Sequence, residues 1–71
     1  MGKQAATLTG VQFIDIHGSK FYDLTFVLDT KPDVPKTSRI GVESVYPNPQ
    51  VGDKVSASLL LGQLVGVEKS A

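Results

Sequence analysis

Along most of the chain apolar residues alternate with polar ones, in short runs cut by glycine and proline. Between Lys20 and Asp29 the even positions are Tyr22, Leu24, Phe26 and Leu28, and the odd ones Phe21, Asp23, Thr25, Val27 and Asp29. Successive side chains of a strand point to opposite faces, so this alternation predicts a strand with its even face in the core. The same argument predicts strands over Thr7–Ile16, Arg39–Val45, Lys54–Leu61 and Leu64–Glu68. In the fourth of the five, Val55, Ala57, Leu59 and Leu61 share a face opposite Lys54, Ser56 and Ser58. In the third, Ile40 and Val42 oppose Arg39, Gly41 and Glu43. Gly10, inside the first run, predicts a bulge or bend. Turns are expected at His17–Gly18–Ser19 and Gly62–Gln63, and irregular loops over 30–38 and 46–53, where the four prolines lie. No run has the length and spacing of an ordinary helix.

Five short antiparallel strands in 71 residues predict an all-β domain covering residues 1–71, with frayed termini. A small closed or nearly closed barrel hides its edges at low residue cost. The OB type is preferred, because Gly10 lets a long first strand bend, and an SH3-like barrel is the alternative. Phe13 and Phe26 are expected in the core. A domain this short buries only about 60% of the surface of its unfolded chain. With no cysteine to cross-link it, association with a second copy would help.

Lysine plus arginine and aspartate plus glutamate each total 7, so the formal net charge is zero. That argues against non-specific binding of duplex nucleic acid, which draws on a basic excess. Absence of cysteine fits a reducing cytoplasm. No apolar run reaches the roughly 18 residues of a membrane span, and the N-terminus carries no signal-peptide pattern. A lone histidine, His17, in an exposed turn beside Asp15, makes neither a triad nor a metal cage, and no phosphate-binding glycine loop precedes a helix. Catalysis, a metal, a cofactor and a small-molecule substrate are therefore not expected.

Binding of a single strand needs rings for bases to stack on and a few cations for phosphates. Phe21 and Tyr22 are neighbours on one strand, so they cannot both face inward, and at least one is expected to be accessible. Tyr46, between Val45 and Pro47 in the second loop, is either a further stacking ring or a cap on the barrel end. Lys20, Lys36 and Arg39 are expected to line one surface. Against this stands an apolar hairpin, "LLLGQLV" (residues 59–65), in which Leu60 falls on the polar face of its strand. An exposed apolar patch of that kind marks an assembly surface with no nucleic-acid role.

The stretch "GSKFYDL" (residues 18–24) resembles the Gly-Lys-Pro-Tyr-x-Leu segment of gene V-type single-stranded-DNA-binding proteins of filamentous phages. "LDTKPDVPKTSRIGVESVYP" is similar to the middle of smaller members, and "GDKVSASLLLGQLVGVEK" resembles their closing hairpin in spacing. The resemblance places Gly18 at the turn, Lys20 at a phosphate, Tyr22 under a base and Leu24 beside it. It implies an OB-type barrel, a symmetric homodimer, sequence-independent coating of single-stranded DNA, and a place in the host cytoplasm. Phe21 stands where the family has proline, and the closing hairpin is shorter, with no aromatic at its tip. Alternation puts Tyr22 and Leu24 in the core while the resemblance puts them near DNA. A hairpin arm projecting beyond the barrel would reconcile the two.

Overall fold

The computed structural model describes residues 2–70. Five strands form one antiparallel sheet: β1 (Gly2–Ile16), β2 (Ser19–Leu28), β3 (Lys31–Gly41), β4 (Lys54–Leu60) and β5 (Gln63–Lys69). Their order is β3-β2-β1-β4-β5. The sheet rolls until β3 and β5 touch, and a single parallel bridge, Val45 to Val67, spans the gap. Among the described residues no ladder joins the two edges, so the all-β sheet is rolled but not closed.

The alternation in β2 is confirmed. Leu24, Phe26 and Leu28 are buried and pack with Ala6, Leu8, Ile40, Val55, Ala57, Leu64 and Val67 as one core. A bulge falls in β1 between Leu8, opposite Phe26, and Gly10, opposite Thr25. Glycine fits closely there, since a Cβ would lie 3.1 Å from that of Thr25. The extra residue, Thr9, reverses the parity of β1. Before the bulge Ala6 and Leu8 face the core; after it Val11 and Phe13 share that face, instead of Gln12 and Ile14.

Three boundaries differ from expectation. β1 begins at Gly2, because residues 2–7 pair with β4. Lys69 lies inside β5 and Ser70 N donates to the Lys54 carbonyl at 2.9 Å, so the expected frayed end is held as far as it is described; Met1 and Ala71 lie outside the described residues. The largest difference is β3, which occupies the segment read as a Pro-rich loop. β3 is an edge strand, where a proline needs no ladder partner on its open side, so Pro32 and Pro35 are accommodated. The expected third strand then stops at Gly41, and Val42–Ser44 form one 3₁₀ turn.

Of the three hairpins, the one between β2 and β3, at Asp29–Thr30, does not turn on residues of positive φ. The other two do, on His17 (50°) with Gly18 (87°) and on Leu61 (52°) with Gly62 (80°). This is the type I′ pattern, and it moves the second turn one residue ahead of Gly62–Gln63. Leu61 therefore leaves the β4 core face and stands 94% exposed. A leucine in left-handed backbone is strained. We expect Leu61→Asn to raise stability by about 0.5–1 kcal/mol, since asparagine tolerates that region. Thermal unfolding checks this; an unchanged or lower Tm would reject the strain.

Candidate nucleic-acid interface

β4 flanks β1 only as far as Thr7, whereas β2 follows it to Ile16. Past the bulge the β1–β2 hairpin runs on as an arm open on its β1 side, while β3 still flanks β2 as far as Phe21 and Val11 and Tyr22 pack against the core. One face of the arm continues the core face outward through the pairs Val11–Leu24, Phe13–Tyr22 and Asp15–Lys20. Leu24 is fully buried at its root, while Tyr22 is half-buried and Phe13 is 54% exposed. The rings of Phe13 and Tyr22 meet edge to face, centroids 5.7 Å apart and planes at 68°. Such a pair is a favoured aromatic geometry.

A second wall faces this pair. Residues 48–51, with Val11, Phe13 and Tyr22, line an open cleft of about 450 Å³. The wall is tied to the sheet at its far end. Leu8 N donates to the Asp53 carbonyl at 3.0 Å, and Gly52 N donates to the Leu8 carbonyl at 2.8 Å. The Asp53 carboxylate accepts from the Tyr46 hydroxyl at 2.6 Å and from Gln50 N at 3.1 Å. Burial, then the neighbouring Asp53, raises the Tyr46 pKa above its ordinary value. The Tyr46 hydroxyl bond, chiefly, lowers that of Asp53. Tyr46 thus packs against the core and caps one end of the rolled sheet, so its hydroxyl is engaged in holding the cleft wall.

A carboxylate whose pKa is depressed on folding stabilises above its unfolded value, near 4, and loses that stabilisation as the pH falls through the folded value. Removing the hydroxyl should therefore matter at neutral pH and cease to matter in acid. We expect Tyr46→Phe to be less stable than wild type at pH 7, with the gap narrowing as pH falls below about 4. Urea unfolding across that range checks it; a gap independent of pH would reject the Tyr46–Asp53 bond as its source.

The cations do not converge. Lys20 lies on the face of Tyr22, one rung further out, about 7 Å along the strand. Lys36 pairs with Phe26, six residues further along β2 and about 20 Å from Lys20. Arg39 is three residues from Lys36, and odd spacing puts the two on opposite faces of β3. Arg39 pairs with Asp23, with Nε to Oδ1 at 2.8 Å and Nη2 to Oδ2 at 3.3 Å. That bond lowers the Asp23 pKa and raises that of Arg39. Lys3 pairs with Glu68 and Lys54 with Asp29. Among the described residues Lys20 and Lys36 are in no ion pair. The expected single surface of Lys20, Lys36 and Arg39 is therefore absent, and Lys20 alone stands beside the aromatic pair.

Two further placements are corrected. Leu24 is a core residue and presents no surface beside a bound base. Phe13, read as core, is the most open ring of the cleft. Phe21 answers to the opposite face of the arm, paired with Ile14 and, on β3, with Gly41. It is half-buried. It lines a second hollow of about 490 Å³ with Gly18, Ser19, Lys20, Val42 and Glu43. Once the His17–Gly18 turn fixes Ile16 opposite Ser19, counting back places Phe13 opposite Tyr22. The sequence held that signal, since no irregularity lies between the turn and Phe13.

Among the described residues no three histidine, cysteine, aspartate or glutamate side chains cluster as metal ligands, and no helix is long and apolar enough to cross a membrane. Comparison of the chain with protein-family models, with curated proteins and with solved structures finds no match.

Proposed function

We propose that this chain binds single-stranded DNA without sequence preference and without catalysis, as a small OB-like homodimer that coats exposed strands during replication of a phage genome. The observation that carries this reading is the edge-to-face Phe13–Tyr22 pair at the margin of the core, with Phe13 more than half exposed and Tyr22 half-buried, and with Lys20 on the same face. Every base has a π-face, so a ring platform is tolerant of sequence, and each stacked base contributes about 1–3 kcal/mol. Lys20 then meets a phosphate. The resemblance of residues 18–24 to gene V-type proteins supports the same two positions, Lys20 and Tyr22. A partly open five-stranded sheet is also a frame on which strand faces and loops bind oligonucleotides. Phe21 belongs to the other face, Arg39 is engaged by Asp23, and Lys36 is remote, so these three contribute at the margin. The test is a titration with oligothymidylate at low salt, followed by tyrosine fluorescence. Saturable quenching is expected; its absence would reject the reading.

One observation favours a second reading. Leu60, Leu61 and Val65 are exposed together at the β4–β5 tip, and residues 59–67 carry no charge. Such a patch suits a protein-assembly module with no nucleic-acid role. Loss of self-association in Leu61→Asp with full retention of oligothymidylate binding would confine the patch to assembly.

A further inference from the structure

We propose that the open edge of β1, Val11–Asp15, pairs antiparallel with the same edge of a second copy, so that the two sheets become one. Beyond Leu8, which bonds to Gly52 and Asp53, no backbone bond reaches β1 from the side away from β2 among the described residues. The hairpin closes on Ile16 opposite Ser19, so Ile16, Ile14 and Gln12 turn their backbone groups toward β2. Val11, Phe13 and Asp15 then turn theirs outward.

Unpaired edges invite strand addition, and proteins guard them with proline, charge or a short length. The other two edges of this sheet are guarded. β3 carries Pro32, Pro35 and several charges, and β5 is short and bridged by Val45. The β1 edge has no proline, two aliphatic residues and a phenylalanine, and a single charge at its end.

The pattern fits a second copy. A two-fold axis at Phe13 sets outward-turned groups against each other, Phe13 on Phe13 and Val11 on Asp15. It also holds the two Asp15 carboxylates about 13 Å apart along the strands, beyond the screening length at physiological salt. The chain has no net charge, so no long-range repulsion opposes the approach. Isologous pairing of this kind closes on itself as a dimer. It needs no DNA, and it would set two Phe13–Tyr22 pairs side by side.

The test uses the whole chain without nucleic acid. The protein has no cysteine, so Phe13→Cys introduces a unique thiol. Opposed Cα atoms of a hydrogen-bonded pair lie about 5.5 Å apart, inside disulfide range. Air oxidation should link Phe13→Cys into a dimer and leave Leu61→Cys unlinked. In wild type, the Val11 and Phe13 amides should exchange at least about tenfold more slowly in concentrated than in dilute solution. A protein that sediments as a monomer overturns the proposal. So do linkage through Leu61→Cys but not Phe13→Cys, and Val11 and Phe13 amides that stay fast at every concentration.

Discussion

Leu24→Ala is expected to remove most of the stability of this protein. Leu24 is fully buried at the centre of the single core, where the β1–β2 arm leaves the rolled sheet. A buried leucine cut to alanine loses its transfer free energy and leaves a cavity, together about 3–5 kcal/mol. A chain of this length has about 4–10 kcal/mol in total, and no disulfide adds to it. The urea midpoint should therefore fall by about a third or more, with the slope unchanged. Leu61→Ala, at the exposed turn, should stay within about 0.5 kcal/mol of wild type. The pair also separates the two positions that the family resemblance and the alternation gave Leu24. A loss below about 1 kcal/mol would mean that Leu24 is not where the core places it.

Phe13→Ala is expected to give the largest loss of single-strand binding that leaves the fold intact. More than half of the ring is open, so its removal uncovers little of the core. The edge-to-face contact with Tyr22 is lost with it. At about 1–3 kcal/mol per stacked base, affinity for oligothymidylate should drop roughly 5- to 150-fold. Lys20→Ala should act differently. It removes one phosphate contact, so the loss should be modest and the salt slope should become shallower by about 0.7. Arg39→Ala should leave the salt slope nearly unchanged, because Asp23 already holds that guanidinium. If Phe13→Ala binds as wild type while Arg39→Ala flattens the slope, the interface lies on the opposite face of the arm.

Much of the fold was legible where alternation and glycine act locally. The core face of β2, the bulge at Gly10, the His17–Gly18 turn and the alternation through Ala57 follow from period-two patterning and turn chemistry. β3 was hidden because proline reads as a loop unless the strand is known to be an edge, and edge position is a property of the whole sheet. The site was legible at Lys20 and Tyr22 and not at Phe13. The bulge puts Phe13 on the core face, as expected, but β4 covers β1 only as far as Thr7, so the ring lies past the end of the core and stands open. The cation cluster failed on parity: Lys36 and Arg39 are an odd number of residues apart. Only the strand register shows that Asp23 meets Arg39 and that Lys20 is left alone beside the rings.

Ring-proton chemical shifts of Phe13, Tyr22 and Phe26, followed by NMR as oligothymidylate is added, test the central claim most directly. Bases stacked on the arm should move the Phe13 and Tyr22 ring signals upfield and saturably, while the buried Phe26 ring stays in place. Unmoved Phe13 and Tyr22 signals in the presence of bound oligonucleotide, or shifts confined to residues near Lys36, would contradict it.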